Sequence, residues 1–322
     1  MITWRGDFVD AMKKMMYDWF FETYDALPTV YDQIFEVRNS TGAYEVAGNL
    51  QGLGDLVEKK EGDDIVFEKV QQGRIKYIKN RTFAKGVEFT KEQVEDMPQW
   101  VAGQIRDYTA TWGESVRRTK EKFGANFFNY GGYTAGNDIF NGSVPGVISD
   151  PSGDLCYDGK PLFNLVGNER SSLNGGTYYN AVALAFSQTN LQTLYNRMTL
   201  TNNRDENDNK ISIVPTTLIH NGALKFTANQ VLLSTNIPGS ANNDINPVQN
   251  IVTPLIWQYL DTSTQWILGV PRKGLVWYER QIPVLNFFQD PKNKNYYATI
   301  DARWGAGVTD WRYWAASNAP TS

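Results

Sequence analysis

Residues 98–128 read PQWVAGQIRDYTATWGESVRRTKEKFGANFF, and this stretch decides the fold. Its apolar side chains recur every three or four positions, which is the spacing of one face of an α-helix. The stripe comprises Val101, Ile105, Tyr108, Trp112, Val116, Phe123 and Phe127, with Thr119 filling the gap. Pro98 stands where a first helical turn tolerates proline, and charged residues occupy the other faces. The pattern predicts a helix on the order of 45 Å long, which suits a beam between two bodies.

Three glycines interrupt this predicted helix, at Gly103, Gly113 and Gly124. Each costs up to about 1 kcal/mol relative to alanine in a helix interior. We therefore expect tertiary packing to offset them.

The first 42 residues combine a helical pattern with an extended one. The helical face carries Phe8, Met12, Met15, Met16, Trp19 and Phe20. Leu27 and Pro28 end that pattern, and the apolar residues after them favour an extended segment. With no closing partner nearby in sequence, residues 1–42 are interpreted as an arm, although a first helix of the core fits the pattern equally well.

Residues 43–90 predict a long polar β-ribbon after a glycine-rich stretch at 43–56. The first strand carries Ile65, Phe67 and Val70, the turn Gln71, Gln72 and Gly73, and the return strand Ile75, Tyr77, Phe83, Val87 and Phe89. Charged residues stud both arms, and an isolated hairpin is only marginally stable in water. The ribbon is therefore expected to need a neighbour such as another copy of the chain, although a solvated sheet edge shows the same pattern.

The remainder of the chain predicts a body of mixed helices and strands. Thr90 and Gln93 form a capping box before a short helix, and Ser187 caps a helix ending near Met198. A further helix is expected at 223–233. Strands are expected at 211–219, 251–260, 265–269, 275–278, 296–300 and 301–314. Residues 129–179 are rich in Gly, Asn and Ser, which indicates turns and short strands.

Composition excludes several classes of protein. A net charge of −4 argues against a protein whose main task is to coat DNA. The single cysteine rules out an intramolecular disulfide. The sequence contains no run of about 18 apolar residues, the length that would predict a membrane-spanning helix. Aromatic residues make up 13% of the chain, with 10 tryptophans. They fit either one large core or burial between subunits, where aromatic side chains are enriched.

Candidate catalytic and metal-binding residues are few. His220 is the only histidine and Cys156 the only cysteine, and neither has the partners of a catalytic triad or zinc site. Residues 205–209 have the spacing of a calcium loop, but Lys210 and Thr216 replace its required glycine and carboxylate. The sequence predicts no enzyme activity, cofactor or metal. Because a catalytic carboxylate pair is a property of the fold, an aromatic-rich carbohydrate-active enzyme or glycan-binding module stays the alternative.

In their order, these elements resemble the HK97-type major capsid proteins of tailed bacteriophages, in the branch related to the Mu-like major head subunit. Short motifs carry the resemblance across nearly the whole chain. They are DGKPLF at 158–163, GGTYYN at 175–180, ISIVPTTL at 211–218, STNIPG at 234–239, NNDINP at 242–247 and QWIL at 265–268.

The resemblance implies an α+β fold with an N-terminal arm at 1–42 and an extended loop, or E-loop, at 43–90. A peripheral domain would comprise 91–204 and 283–322, including a spine helix at 98–128. An axial domain would comprise 205–282. The family forms hexamers and pentamers that close into an icosahedral shell around double-stranded DNA.

The resemblance also implies contacts and partners. The ribbon would lie across a neighbour's spine helix, and the arm would extend its reach. The residues expected at inter-subunit contacts are Trp19, Phe20, Phe67, Lys69, Arg74, Lys76, Tyr77 and Arg81. Besides copies of the chain, the expected partners are a portal, a cementing protein, packaged DNA and a separate scaffolding protein, because arm-like sequence begins almost at Met1. Assembly is expected in the host cytoplasm, with the product in the virion.

Overall fold

The computed structural model describes residues 4–48, 56, 58–62, 64–65, 67, 75–132, 156–172, 174–237 and 244–320. Its helices are α1 (Trp4–Ala26), α2 (Tyr31–Ile34), α3 (Lys91–Asp96), α4 (Pro98–Asn129), α5 (Gln188–Asn196) and α6 (Lys225–Leu233). A π-helical turn, Arg197–Thr201, continues α5, and a 3-10 turn, Gly222–Leu224, leads into α6.

The strands occur in runs between and after these helices. They are β1 (Glu36–Asn39), β2 (Tyr44–Gly48), β3 (Ile75–Lys79), β4 (Arg81–Phe89), β5 (Arg170–Ser171), β6 (Thr177–Tyr178), β7 (Ala181–Val182), β8 (Thr217–His220), β9 (Thr253–Ile256), β10 (Trp266–Gly269), β11 (Leu275–Gln289), β12 (Tyr296–Val308) and β13 (Trp314–Ser317). The fold is therefore α+β, as the sequence predicts.

The long helix α4 confirms the prediction from residues 98–128 to within one residue at its C-terminal end. Its 32 residues span roughly 48 Å. Most of the apolar stripe is buried, including Val101, Trp112 and Phe127, whereas Tyr108 is exposed. The capping box that precedes it is present, with Thr90 accepting from the Gln93 N–H at the start of α3.

Helix α1 packs on α4 of the same chain. Met12, Met16 and Phe20 are buried there in a cluster that includes Val101 and Ile105 of α4. The sequence left two interpretations open for the N-terminal region, an arm or a first core helix. α1 is a core helix of its own chain. Whether residues 1–42 also act as an arm toward a neighbour stays a prediction.

A four-stranded sheet with the order β1-β11-β12-β4 lies against α1 and α4. β1 runs parallel to β11, and the other pairs are antiparallel. β11 is much longer than the predicted 275–278. The prediction ended too early because polar residues around Gln281 interrupt the apolar pattern. The pairing of β11 with β12 is irregular at the same place. Beyond this irregularity, buried Leu285 and Phe287 alternate with more exposed residues.

A second sheet has five strands in the order β7-β13-β10-β8-β9. β10 lies at its centre and is antiparallel to both β13 and β8. All four residues of each of these three strands are buried, as expected for strands covered on both faces. The predicted strand 211–219 is shorter in the structure, because only Thr217–His220 pairs.

The aromatic residues are concentrated in the chain's own core. Phe123, Phe127 and Phe128 of α4 belong to one cluster with Trp257, Trp277, Trp304, Trp311 and Trp314. Trp277 and Trp304 stack with their ring centroids 6.2 Å apart. These rings therefore lie in one large core, which is one of the two interpretations of the high aromatic content.

The ribbon differs from its prediction in where its strands lie. β2 pairs with β3, so the first strand of the base is at 44–48, within the stretch expected to be glycine-rich turning backbone. The predicted return strand is divided at Asn80: β3 belongs to the ribbon, whereas β4 pairs with β12 in the body. Ile65 and Phe67 are not in a strand, and Val70 and the turn at 71–73 lie outside the described residues.

Candidate subunit interface

The base of the ribbon is a two-stranded antiparallel sheet in which β2 and β3 pair along all five residues. Side chains alternate along β3, so that Lys76 and Ile78 are buried whereas Ile75 and Tyr77 are exposed. One face of the ribbon therefore rests on the body of the chain, and the other is open to solvent.

Hydrogen bonds at Asn80 fix the point where the ribbon leaves the body. The Asn80 Nδ2 group donates to Ser40 Oγ at 2.6 Å and to the Gly42 carbonyl oxygen at 2.9 Å. Glu45 Oε1 accepts from Ser40 Oγ at 2.6 Å and from the Gly42 N–H at 3.2 Å. These bonds, the one from Ser40 foremost, hold the pKa of Glu45 below its ordinary value. The carboxylate form of Glu45 thus holds the turn at 40–42 before β2, and Asn80 joins that turn to the end of β3.

The ribbon crosses β12 at two glycines. A Cβ on Gly305 would lie 2.5 Å from the Lys79 carbonyl oxygen, and one on Gly307 would lie 2.7 Å from the Ile78 side chain. Ile78 in turn packs on Val276 and Tyr278 of β11. The close approach that these glycines allow seats β3 on the four-stranded sheet.

Four of the eight residues expected at inter-subunit contacts retain accessible surface. Phe67 is 88% exposed and Tyr77 is 61% exposed, and the Tyr77 ring meets Tyr44 edge to face at 5.9 Å. Trp19 and Arg81 are half-buried. These side chains are available to a second molecule, and their role in an interface stays a prediction.

The other four expected contact residues differ in their surroundings. Phe20 and Lys76 are buried within their own chain, so the structure gives them intramolecular partners where the sequence suggested inter-subunit ones. The reason for Phe20 is that α1 packs on the spine helix, and the reason for Lys76 is the alternation of β3. Lys69 and Arg74 lie outside the described residues.

Sequence reasoning missed several exposed apolar side chains of the same region. These are Tyr44, Val46, Leu56 and Ile75. Tyr44 and Val46 alternate with Glu45 and Ala47, which is the period of a strand and was the available signal. The glycines on either side concealed it.

A groove lies between α4 and β4, and we call it the α4–β4 groove. Its volume is about 530 Å³. It is lined by Thr82, Phe83, Ala84, Lys85, Trp112, Ser115, Val116, Arg118, Thr119, Lys122, Ile300, Ala302 and Trp304. The floor is apolar, whereas the charged side chains of the lining are all cationic. The groove is partly open to solvent, and its lining includes residues of β4, the last strand of the four-stranded sheet.

One carboxylate holds α4 to the elements around it. Glu121 Oε1 accepts the N–H groups of Val30 at 2.7 Å and Tyr31 at 3.3 Å, at the start of α2. Glu121 Oε2 accepts from Trp257 Nε1 at 2.6 Å. Burial raises the pKa of the Glu121 carboxyl, and these hydrogen bonds oppose the shift. The spine helix is thereby fixed to α2 and to the segment after β9.

The residues considered for chemistry are buried or hydrogen-bonded within the chain. Burial lowers the pKa of His220, whose Nδ1 lies 2.7 Å from the Asn221 carbonyl oxygen. Burial raises the pKa of the Cys156 thiol. The Asp205 carboxylate accepts the N–H groups of Asn207 and Asn209, each at 2.8 Å, so it closes its own turn.

The described residues lack two kinds of feature. No group of three or more His, Cys, Asp or Glu side chains in that part of the chain is arranged to hold a metal ion. No helix within it combines the length and the apolar character that a membrane span requires.

A family model identifies the family to which the chain belongs. The model of the phage capsid protein family matches residues 76–317, which is more than half of the chain. No curated protein sequence matches the chain.

Solved capsid structures share the fold at very low sequence identity. The chain is similar to a Mycobacterium phage Che8 structure, with a TM-score of 0.52, 11% identity, and coverage of 92% of this chain and 93% of that one. It is similar to the capsid of cyanophage P-SCSP1u, with a TM-score of 0.51, 9% identity, and coverage of 92% and 89%. The mature capsid of bacteriophage PhiM1 gives a TM-score of 0.50 at 9% identity, with coverage of 91% and 89%.

These likenesses confirm the expected HK97-type architecture, while the Mu-like branch stays a prediction. The family match joins that architecture to a structural role in the virion. The chain belongs to the phage capsid protein family and is a structural major capsid subunit that associates with copies of itself to form a shell.

Proposed function

We propose that this subunit assembles as hexamers and pentamers into an icosahedral shell that encloses phage double-stranded DNA. The observation that carries the proposal is the open face of the ribbon. Tyr77 is exposed on that face, and Phe67 and Leu56 are exposed in the segment between β2 and β3, although burying a large apolar side chain contributes about 1.5–3 kcal/mol. In an isolated subunit these side chains stay in water. In a shell, a neighbouring subunit would cover them and the assembly would gain this free energy.

Reciprocal contacts make such a shell stable even though each contact is modest. Each subunit extends its ribbon to one neighbour and receives the ribbon of another. Linking several weak contacts in one closed assembly multiplies their effect, because later contacts form within an assembly that already holds the partners together. The contacts at Asn80 and Gly305 fix the base of the ribbon to the body, and the residues between β2 and β3 are the part proposed to reach a neighbour.

The proposal includes the division into domains. The peripheral domain would contain 91–204 and 283–322, and the axial domain 205–282 would surround the symmetry axes. The five-stranded sheet joins both parts, because β13 at 314–317 pairs with β10 at 266–269. An axial domain of this kind is anchored to the peripheral one through a shared sheet, which favours motion as a unit.

Other head components complete the proposed assembly. A portal, a separate scaffolding protein and a cementing protein are the partners that the family resemblance implies, and assembly takes place in the host cytoplasm. The chain carries a net charge of −4, which supports few direct contacts with packaged DNA. Encapsidated DNA would then be held by confinement rather than by a basic lining.

Light scattering together with negative-stain microscopy of the purified chain tests this function. We expect capsomers or closed shells to form as protein concentration rises. A stable 36.5 kDa monomer under all solution conditions, also when the other head proteins are coexpressed, would contradict the proposal. The alternative of a carbohydrate-active enzyme predicts that monomer.

A further inference from the structure

We propose that the α4–β4 groove binds a medium-chain fatty carboxylate, with its head group beside Arg118 and Lys122 and its acyl chain along Trp112 and Val116. The site lies within a single subunit, so it goes beyond the shell function and does not depend on it. Three features of the described residues support it: an indole N–H without an acceptor, a cationic rim and an apolar end.

The indole N–H of Trp304 lacks a hydrogen-bond acceptor. Five tryptophans of the described residues are at most 1% exposed. Four of them donate their indole N–H to another group of the chain, namely Trp257, Trp266, Trp277 and Trp314. The fifth, Trp304, lines the groove, and its Nε1 has no partner in the described part of the chain. Because a buried indole N–H usually finds a partner, an acceptor oxygen bound in the groove would complete this site.

The charged residues of the lining favour an anionic acceptor. Lys85, Arg118 and Lys122 line the groove and are exposed. None of the three forms an ion pair with another described residue, and no carboxylate belongs to the lining. The whole chain carries a net charge of −4, so three unpaired cations are a local departure from its overall charge. A cleft lined by one sign of charge concentrates ions of the opposite sign.

The two ends of the groove belong to different parts of the core. Trp304 is part of the aromatic core cluster and stacks on Phe83, with ring centroids 4.1 Å apart. Trp112 and Ile300 belong to the separate cluster beneath α1. Along α4, Lys122 follows Trp112 by ten residues, which corresponds to about 15 Å at 1.5 Å per residue. The groove is therefore elongated along the helix.

The end at Trp304 suits a carboxylate head group. Arg118 and Lys122 are four residues apart, so they lie on one face of α4. The same part of the helix approaches Trp304, because Lys120 Nζ lies 5.3 Å from the Trp304 ring centroid. A carboxylate here could accept from the Trp304 N–H and from the two cations, and hydrogen bonds to an ionised acceptor are stronger than neutral ones.

The other end suits an acyl chain. Trp112 and Val116 of α4 face Ile300 across the groove. Lys85 pairs with Ile300 between β4 and β12, and its methylene stem can cover a bound chain while its ammonium stays in water. The volume of about 530 Å³ lies within the range of about 300–1,000 Å³ that is typical of small-molecule sites. The length of the groove matches an extended dodecanoate.

Calorimetry of the full-length, unassembled subunit tests the binding, with each ligand kept below its micelle concentration. We expect one site per subunit, with an affinity that rises about fourfold per methylene from octanoate to dodecanoate. Tetradecanoate should gain little more, because the groove is then full. Dodecyltrimethylammonium, which has the same chain and a cationic head, should bind about tenfold more weakly than dodecanoate. Absence of saturable binding, or equal affinity for the two head groups, would overturn the proposal.

Nuclear magnetic resonance of the subunit labelled with nitrogen-15 tryptophan locates the ligand. Trp304→Phe identifies the Trp304 indole signal, and the sample is kept below the concentration at which light scattering detects assembly. We expect dodecanoate to move the Trp304 N–H proton downfield, as a new hydrogen bond requires. Shifts of other indole signals without a shift at Trp304 would place the ligand elsewhere and overturn the assignment to the groove.

Charge removal tests the head-group position. The double variant Arg118→Gln with Lys122→Gln should lose about tenfold in affinity for dodecanoate, because the carboxylate loses both cations. The matched control, Arg106→Gln with Lys14→Gln, also removes two exposed cations, but neither residue lines the groove, and it should bind like wild type. Equal affinities in the two double variants would overturn the head-group position.

The outcomes separate the groove from the shell function. Subunits that assemble into shells but do not bind dodecanoate would overturn the groove site and leave the shell function intact. Subunits that bind dodecanoate as described but never assemble would support the groove site and overturn the shell function alone.

Discussion

Lys120 of the spine helix and Glu279 of β11 form a buried ion pair, with Lys120 Nζ 2.5 Å from Glu279 Oε1. Their side chains are 2% and 15% exposed. Trp277 Nε1 donates to the other Glu279 oxygen at 3.0 Å, and the ammonium lies 5.3 Å from the Trp304 ring centroid. The pair therefore sits where the helix meets the four-stranded sheet, and both charges have further partners.

Replacing only Lys120 is expected to destabilise the subunit strongly. Lys120→Met leaves a buried carboxylate without its cation, which costs about 3–5 kcal/mol in the free energy of unfolding. The double variant with Glu279→Met removes both charges, and most of the loss should return. Urea unfolding of the unassembled subunit measures both. Lys122→Met, on an exposed part of the same helix, should stay within about 0.5 kcal/mol of wild type; a similar value for Lys120→Met would refute the prediction.

Two glycines of α4 should respond in opposite directions to substitution by alanine. A Cβ on Gly113 would lie 3.0 Å from the Tyr24 nitrogen and 3.1 Å from the Phe20 carbonyl oxygen, where α1 crosses the helix. A Cβ on Gly103 would meet nothing within 4 Å. Gly103→Ala should therefore stabilise the subunit by about 0.5–1 kcal/mol, whereas Gly113→Ala should destabilise it by about 1–3 kcal/mol. Thermal unfolding of both variants decides; equal shifts would show that α1 does not approach α4 this closely.

The Tyr178 phenol should lose its proton at an unusually high pH. Burial and a hydrogen bond of 2.6 Å to Asp208 raise the pKa of Tyr178 to about 12. Because the folded value lies above the ordinary 10, this contribution to stability is complete below pH 10 and is lost as pH rises toward 12. The same hydrogen bond is the main cause of a lowered pKa at Asp208. The contribution of Asp208 to stability is therefore present above its ordinary pKa of 3.8 and is lost as pH falls below that value.

The variant Asp208→Asn tests this coupling without disturbing the backbone, since Asp208 has a φ of 65°, a left-handed conformation that asparagine adopts well. Its Tyr178 pKa should move back toward 10, as followed by carbon-13 NMR of labelled tyrosine with Tyr178→Phe assigning the signal. An unchanged titration would show that the carboxylate does not control the phenol.

The elements that sequence predicted best are those specified locally. The spacing of apolar residues fixed α4, and the caps at Thr90 and Ser187 began α3 and α5. In each case the signal lies within one or two helical turns. No distant partner is needed to recognise them.

The elements that sequence missed depend on residues far apart in the chain. Lys120 and Glu279 are 159 positions apart, and neither pattern reveals the other. The return strand of the ribbon appears continuous in sequence, yet Asn80 turns it from β2 toward β12 because Ser40 and Gly42 capture its side chain. Lys76 looks like a surface lysine until the alternation of β3 over Gly307 shows that it is buried.

Shortening the ribbon separates folding from assembly. Replacing residues 56–72 with a Gly-Ser-Gly linker removes Phe67 and most of the charged residues between β2 and β3, but retains β2, β3 and the Asn80 anchor. We expect the free energy of unfolding to stay within about 1 kcal/mol of wild type, because the removed residues that the structure describes are exposed. Light scattering should find no shells, since the shortened ribbon would no longer offer the exposed Phe67 and Leu56 side chains to a neighbour.

The extent of the deletion is what makes this result informative. A cut through residues 63–79 would also remove Ile78, which is buried against Val276 and Tyr278, and would lose stability as well as assembly. The single variant Phe67→Asp gives an independent check, because it keeps the loop length while placing a charge at the apolar contact. Shells of normal yield from either the shortened chain or Phe67→Asp would show that subunits hold together without the ribbon, and the open face of β3 would then need another explanation.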